Sequence, residues 1–332
     1  MESVIKINNV SKDFRVPEKV TKSTFLHKLK SVFYRKWLIT RVLHDVSFDV
    51  NEGEFVGYVG PNGAGKSTTI KLLTGVLTPS SGEISVLGFN PTKQRYQYTY
   101  NIGVVFGQKS LLDFDLPVID SFLLYKDVYE LSETDFKERL DFFSQILKID
   151  ELFHIPVRKL SLGQRMRCEI AASLLHKPKV VFLDEPTIGL DAIAKEEIRN
   201  FLREINKKEK VTIILTTHDM DDIEALCNRI IVLDKGKIIY DGEIGPMKKR
   251  FIKHKTIEFE LEEVRNKKKY ESILEKASSV KKEGRWVSIA LPIEKYRIGK
   301  IVESLLSSCD VHDLKVHEPN LEAVIREIYR VG

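Results

Sequence analysis

One short segment, residues 60–68, constrains the fold of this chain more than any other. Its sequence, Gly-Pro-Asn-Gly-Ala-Gly-Lys-Ser-Thr, fits the phosphate-loop pattern G-x-x-x-x-G-K-[ST]. Residues 54–59 before it predict a buried strand, and residues 69–73 after it predict the start of a helix. In such a unit, glycines let backbone N–H groups turn inward around phosphate oxygens, and the helix N-terminus adds its positive end. The segment therefore predicts an α/β nucleotide-binding core.

Within this segment, Lys66 is expected to hold the β- and γ-phosphates, and the Ser67 hydroxyl is expected to bind Mg²⁺. The alternative is a glycine-rich turn without a ligand. The order of strand, loop and helix argues against that alternative. The residues expected to contact the nucleotide are Gly60, Pro61, Asn62, Gly63, Ala64, Gly65, Lys66, Ser67 and Thr68.

A second apolar run, residues 180–185, ends in two acids. Such a run is typical of a buried parallel strand. Asp184 at its end is expected to bind Mg²⁺, directly or through water. Glu185 can then polarise the attacking water as a general base.

Three further features are weak individually. Gln108 follows the apolar run 102–107, residues 160–165 read Leu-Ser-Leu-Gly-Gln-Arg, and His218 follows the strand-like run 211–217. A lone glutamine or histidine at a strand end is more often structural than functional. Found together and in this order, the features are hard to obtain by chance.

With these motifs, residues 1 to about 245 resemble the nucleotide-binding subunit of ABC transporters. The resemblance makes Gln108 the Q-loop glutamine, residues 161–164 the signature, residues 189–191 the D-loop and His218 the switch histidine. It implies a catalytic role for Glu185, His218 and Gln108. The implied Mg²⁺ ligands are Ser67, Gln108 and Asp184. Further implied nucleotide contacts are Phe14, which stacks on adenine, and Ser161, Gly163, Gln164 and Asp191; a core phenylalanine is the alternative at position 14.

The signature departs from the family pattern at one position. This chain has Leu162 where the family usually has glycine. The Ser161 hydroxyl and the Gly163 backbone can still meet a γ-phosphate, so the resemblance implies that function survives.

The resemblance also implies partners. Two such subunits, identical copies or a copy and a paralogous ATPase, pair head to tail and bury two ATP molecules with Mg²⁺. ATP closes the pair and hydrolysis opens it. The chain is then expected at the cytoplasmic face of the membrane as a peripheral subunit of a separate transmembrane permease.

Composition agrees with a chain of two domains. It has 332 residues, with 42% hydrophobic and 30% charged residues. No apolar run reaches about 18 residues, and no signal peptide is recognisable, so no membrane span is expected. The cysteines lie far apart without a C-x-x-C pair, which favours a reducing cytosol. A net charge of +5 does not by itself indicate nucleic acid, and none is expected as a partner.

Residues 15–41 form an insertion between the first two predicted strands, of which the second covers residues 42–48. A helical spacing is shown by Phe25, Leu26, Leu29, Val32, Phe33, Trp37 and Leu38. Interleaved basic residues are Lys22, Lys28, Lys30, Arg35 and Lys36. An apolar face beside basic residues is typical of a helix at a membrane interface. Residues 22–40 are therefore expected to contact the membrane surface or the permease; a helix packed on its own domain is the alternative.

The predicted fold class is α/β. A P-loop NTPase domain, residues 1–246, carries an antiparallel β subdomain and a helical subdomain at about 111–177. Residues 255–332 predict strand–helix–strand–strand–helix–strand, the ferredoxin-like order of a small α+β domain. Because this second domain shows no catalytic cluster, it is expected to support dimerisation or docking.

Segments 103–108, 116–117 and 160–167 are similar to a bacterial exporter branch that includes pumps for drugs and viologen-like cations. The insertion is similar to that of O-antigen and teichoic-acid exporters. The alternative class is a soluble ABC ATPase that acts on DNA or ribosomes. Lys66 and Ser161 lie only 95 residues apart without a heptad run, and the chain has one phosphate loop, so export is favoured. A regulator without hydrolysis would lack Glu185, which is present.

Overall fold

The computed structural model describes residues 2–17, 37–107, 109–252, 254–317 and 319–331. The chain divides into two compact units, Met1–Gly242 and Glu243–Gly332. The first unit therefore ends shortly before Pro246, and the helix that follows Gly242 belongs to the second unit. None of the helices within these ranges is both long enough and apolar enough to cross a membrane.

A mostly parallel sheet forms the centre of the first unit. In the described residues, its strand order is β5-β6-β7-β3-β8-β9. Neighbours from β5 to β8 pair in parallel, and their apolar runs are buried on both faces. The C-terminal ends of these strands therefore meet at one edge, where ligands bind in open α/β sheets. The strands are β3 (Phe55–Val59), β5 (Ile102–Phe106), β6 (Val180–Asp184), β7 (Thr212–Thr216), β8 (Arg229–Asp234) and β9 (Lys237–Glu243).

An antiparallel sheet accompanies it, with the order β2-β1-β4 in the described residues. Its strands are β1 (Ser3–Pro17), β2 (Trp37–Asn51) and β4 (Ser81–Val86). The β1–β2 pairing continues as far as Pro17 opposite Trp37. The arrangement fits the expected antiparallel β subdomain.

The prediction that Trp37 and Leu38 belong to a helix is wrong, because both lie in β2. Leu38 pairs with Val16, and an ion pair of 2.8 Å joins Arg41 to Asp13. Cross-strand pairing decides the conformation here, although the apolar spacing also suits a helix. The rest of the predicted helix, within residues 18–36, lies outside the described residues.

Helices follow the strands of the first unit. Those that lie between β5 and β6 in the sequence form a helical subdomain. Ser132 caps one of them: its Oγ accepts a hydrogen bond from the Asp135 N–H at 3.0 Å. The helices are α1 (Lys66–Leu73), α2 (Arg95–Thr99), α3 (Val118–Val128), α4 (Glu133–Leu147), α5 (Leu162–Leu174), α6 (Ala192–Glu209) and α7 (Met220–Leu226). Two 3-10 helices cover Asp150–Leu152 and Val157–Lys159.

The core of the first unit fixes the two elements on either side of the phosphate loop. Tyr58 on β3 is fully buried, and its hydroxyl lies 3.1 Å from the Thr69 hydroxyl on α1. Ile70 and Leu72 of α1 are also buried. A buried hydrogen bond contributes about 0.5–1.5 kcal/mol, and this one joins the strand before the loop to the helix after it.

The second unit contains an antiparallel sheet with the order β11-β12-β10-β13 in the described residues. Alternating residues of its central strands, among them Ile257, Phe259, Val287 and Ile289, are buried against helices. The strands are β10 (His254–Val264), β11 (Ser279–Glu283), β12 (Trp286–Pro292) and β13 (Cys309–His317). The helices are α8 (Ile244–Phe251), α9 (Lys267–Glu275), α10 (Ile298–Ser308) and α11 (Leu321–Val331).

Candidate active site

The phosphate loop connects β3 to the N-terminus of α1. Gly65 precedes the helix with φ 111°, and a Cβ there would lie 2.6 Å from Leu43 Cδ2. Only glycine fits this conformation without strain. Gly63 also has a positive φ of 81°. The loop can therefore bend tightly around an anion at the helix N-terminus, where the first backbone N–H groups have no partners within the helix.

Lys66 is almost completely covered, with 6% of its surface exposed. Its Nζ donates hydrogen bonds to the carbonyl oxygens of Gly60 at 2.6 Å and Pro61 at 3.2 Å. Burial lowers the pKa of the Lys66 ammonium group, and the nearby carboxylates of Glu185 and Asp184 oppose this by raising it. The loop therefore holds a positive group over the place where phosphate oxygens would lie.

Asp184 stands at the end of β6, beside the phosphate loop. Its Oδ1 lies 3.5 Å from the Ser67 Oγ and also accepts a hydrogen bond from the Thr216 hydroxyl on β7. Its backbone carbonyl accepts the Gly107 N–H at 2.8 Å. The ends of β6 and β7 thus hold the Asp184 carboxylate next to the Ser67 hydroxyl of the phosphate loop.

Glu185, the next residue, pairs directly with His218. The distance from His218 Nε2 to Glu185 Oε1 is 2.8 Å. Glu185 has φ 57°, a left-handed backbone conformation that costs a non-glycine residue about 1–3 kcal/mol. Its N–H donates to the Thr216 carbonyl at 2.9 Å. The turn therefore directs the carboxylate to the open edge of the sheet.

These groups surround a cavity of about 790 Å³, within the usual range for small-molecule sites. The structure brings Asn62, Gly63, Gly65, Lys66, Ser67, Thr68, Asp184, Glu185 and His218 together around it. The sequence did not indicate the seven other lining residues, Val42, Lys71, Val76, Phe106, Gly107, Lys109 and Ile188. Lys109 directly follows Gln108 and Ile188 directly precedes the D-loop, so their positions next to motifs could have indicated them. No local pattern in the sequence indicates Val42.

Several of the predicted nucleotide contacts lie outside the lining of this cavity: Phe14, Gly60, Pro61, Ala64, Ser161, Gly163, Gln164 and Asp191. Gly60 and Pro61 instead accept hydrogen bonds from Lys66. Gln108 lies outside the described residues.

The signature segment begins α5 with a capping box. Ser161 Oγ accepts the Gln164 N–H at 3.2 Å, and Gln164 Oε1 accepts the Ser161 N–H at 2.9 Å. Asp191 caps α6 in a similar way, with its Oδ1 accepting the Ala194 N–H at 2.9 Å. Leu162 lies beside Gly189, so the signature and the D-loop of one chain are neighbours.

Phe14 lies on the β1–β2 hairpin and is half-buried. The Lys12 Nζ sits 5.2 Å from the centre of its ring and also donates to the Thr78 carbonyl at 2.7 Å. One ring face of Phe14 is therefore next to a cation.

A phosphate loop between a parallel strand and a helix, next to an acidic strand end and a Glu–His pair, defines the class of P-loop nucleoside triphosphatases. A family model described as "ABC transporter" matches residues 43–188. The chain is 32% identical over 212 residues to the ABC transporter ATP-binding protein NatA of Bacillus subtilis (strain 168). This match covers 64% of the chain and 86% of NatA.

A second similar protein and a solved structure agree with this match. The Nod factor export ATP-binding protein I of Neorhizobium galegae is 38% identical over 202 residues, which is 60% of this chain and 57% of that protein. A solved structure, titled as a dimeric post-hydrolysis state of the ATP-binding cassette MJ0796 bound to ADP and Pi, has a TM-score of 0.60 and 25% identity. It covers 72% of this chain and 98% of its own.

This chain belongs to the ABC transporter ATP-binding proteins. Its nucleotide-binding unit is therefore an ATPase domain that drives transport. ATPase domains of this family bind ATP and ADP.

Proposed function

We propose that this chain is the ATP-hydrolysing subunit of an exporter and works through a separate transmembrane permease. The contact of 2.8 Å between His218 Nε2 and Glu185 Oε1 carries the hydrolytic part of this proposal. Both residues line the same cavity as Lys66, Ser67 and Asp184. An acid next to the phosphate-binding elements can accept a proton where water attacks the terminal phosphate.

In the proposed reaction, a water oxygen attacks the γ-phosphorus of ATP while the bond to the β–γ bridging oxygen breaks. Glu185 accepts the proton of that water, and His218 holds the Glu185 carboxylate in place. Lys66 and the first N–H groups of α1 stabilise the charge on the phosphate oxygens. The products are ADP and inorganic phosphate.

The site fits Mg²⁺, because the Ser67 hydroxyl and the Asp184 carboxylate present hard oxygen ligands 3.5 Å apart. These two residues would hold the ion, with Gln108 as the further expected ligand. Bound there, it would supply Lewis-acid stabilisation of the phosphate charge.

Assembly with a second ATPase subunit, identical or paralogous, is part of the proposal. Ser161, Gly163, Gln164 and Asp191 lie outside the cavity of their own chain. Two of them cap helix N-termini, which are suited to anions. These observations support contact with a nucleotide held by the other subunit, and the solved structure of the similar cassette MJ0796 is dimeric.

The expected position is peripheral, at the cytoplasmic face of the membrane. Four apolar side chains at the end of the β1–β2 hairpin are exposed: Val16 by 44%, Trp37 by 54%, Leu38 by 53% and Ile39 by 68%. They flank residues 18–36, which carry the basic side chains of the insertion. Exposed apolar residues beside basic ones support contact with anionic lipid or with the permease.

Two finer points complete the proposal. Export, rather than import, is supported by the similarity to a protein named for Nod factor export. The strand order β11-β12-β10-β13, with two helices in the crossovers, supports a ferredoxin-like second unit. We infer that this unit serves dimerisation or docking, and that no nucleic acid is bound.

The experiment compares the full chain with its Lys66→Ala variant. The full chain should bind ATP and release phosphate, and Lys66→Ala should lose most of the ATP binding. Cross-linking in intact cells, followed by mass spectrometry, should then recover an integral membrane protein. Recovery of ribosomal or DNA-bound proteins alone would instead support the soluble class of ABC ATPase.

A further inference from the structure

A buried carboxylate, Asp222, lies beneath the turn that carries Glu185 and the loop that carries His218. It belongs to the first turn of α7 and has no exposed surface. A buried charge is tolerated only with strong partners. The partners of Asp222 lie in three separate segments of the chain.

The first connection reaches the turn after Glu185. The Thr187 hydroxyl donates a hydrogen bond to Asp222 Oδ2, and Thr187 itself is 2% exposed. The Ile188 N–H donates to the Glu185 carbonyl at 3.3 Å, and the Leu190 N–H donates to the Thr187 carbonyl at 3.3 Å. The hydrogen bond between Thr187 and Asp222 therefore fixes the turn that runs from Glu185 to the D-loop.

The second connection reaches the residue before His218. The Thr217 hydroxyl lies 3.4 Å from the same Asp222 Oδ2 and accepts the Asp219 N–H at 3.0 Å. Thr217 is 3% exposed. One carboxylate oxygen therefore contacts a neighbour of each member of the Glu185–His218 pair.

The third connection balances the charge. Arg199 on α6 donates from Nε to Asp222 Oδ1 at 2.6 Å, and its Nη2 lies 2.5 Å from the same oxygen. The Arg199 side chain is 15% exposed. This ion pair leaves Asp222 Oδ2 available to the two threonines.

We propose that Asp222 is a positioning residue for ATP hydrolysis: it fixes the Glu185 turn through Thr187 and the His218 loop through Thr217, and so sets the distance between the acid and the histidine. The inference rests on the proposed function, because it takes Glu185 as the base. It adds a link between the D-loop and the switch histidine within one chain. Asp222 itself lies outside the lining of the cavity.

Thr187→Val is the principal test, because it removes one hydroxyl at nearly constant volume. Small errors in the position of a catalytic group are costly, so kcat should fall by about tenfold or more while the Kd for ATP stays unchanged. Thr187→Ser keeps the hydroxyl and should keep kcat. A purely structural role would lower the melting temperature and leave kcat at low temperature unchanged, and that result would overturn the proposal.

A double-mutant cycle localises the effect. If Thr187 acts through the base, Thr187→Val should reduce the residual rate of Glu185→Gln no further. Equal proportional losses in both backgrounds would overturn the positioning role and leave the proposed function intact. A wild-type rate for Glu185→Gln alone would instead remove the base assignment and this proposal together.

Asp222→Asn provides the second variant. It should lower kcat while ATP binding persists, because both threonine contacts weaken and Arg199 loses the shortest of its ion pairs. Glu197→Gln is the matched control, since Glu197 on α6 is also a carboxylate that pairs with an arginine, Arg167, at 3.3 Å. Its kcat should equal that of the wild type. Wild-type kcat for folded Asp222→Asn would contradict the proposal.

Discussion

Replacing Glu185 by glutamine should nearly abolish ATP hydrolysis and leave ATP binding intact. Glutamine has the same shape and keeps an Oε1 atom that can accept the hydrogen bond now made by His218 Nε2 at 2.8 Å. It cannot accept a proton from water at neutral pH. The substitution therefore removes the chemical function of the side chain and preserves its contacts.

The expected magnitude follows from the role of a general base, which contributes about 10²–10⁴-fold to a rate. This corresponds to about 3–5 kcal/mol of barrier height. Binding should persist because the two hydrogen bonds from Lys66 Nζ to the loop carbonyls do not involve Glu185. The Glu185 charge raises the pKa of Lys66, so its loss should lower that pKa further. ATP phosphates oppose this change when they bind.

The assay separates the two quantities. Equilibrium binding of ATP measures the Kd, and phosphate release under saturating ATP and Mg²⁺ measures kcat. Glu204→Gln is a suitable control, because Glu204 pairs with Lys208 on the surface of α6 and lies outside the cavity lining. The control should behave as the wild type. Near-normal steady-state turnover by Glu185→Gln would refute the assignment of this residue as the base.

Three further predictions concern other parts of the chain. Ser161→Arg should block hydrolysis but spare ATP binding; a monomer that stays fully active at every concentration would contradict a shared site. Deleting residues 18–36 should spare ATP binding and reduce association with anionic vesicles or with the permease, and normal transport by this variant would remove the proposed role. Burial lowers the pKa of His176 to about 4, so the folded state resists a proton that the unfolded state accepts near pH 6.5. The free energy of unfolding should therefore fall by about 1 kcal/mol as the pH drops from roughly 7.5 to 5.5. Urea titrations of His176→Phe should lack this part of the pH dependence.

The sequence determined the features that depend on neighbouring residues. The phosphate loop follows from glycines at fixed offsets, since the left-handed conformation of Gly65 admits little else. Ser132 and Ser161 cap helices because a cap is a contact between residues three positions apart. The element order of the second unit was predictable for the same reason, because alternation and helical spacing are local patterns.

Tertiary structure decided the features that depend on register and long-range contact. Trp37 has an apolar spacing that suits a helix, yet pairing opposite Pro17 makes it part of a strand. Val42 lines the cavity although no local pattern assigns it there. Asp222 resembles an ordinary acid in the first turn of a helix, and only the approach of Thr187 and Thr217 reveals its environment. Such contacts join residues from separate strand ends, and a local pattern contains no information about which ends meet.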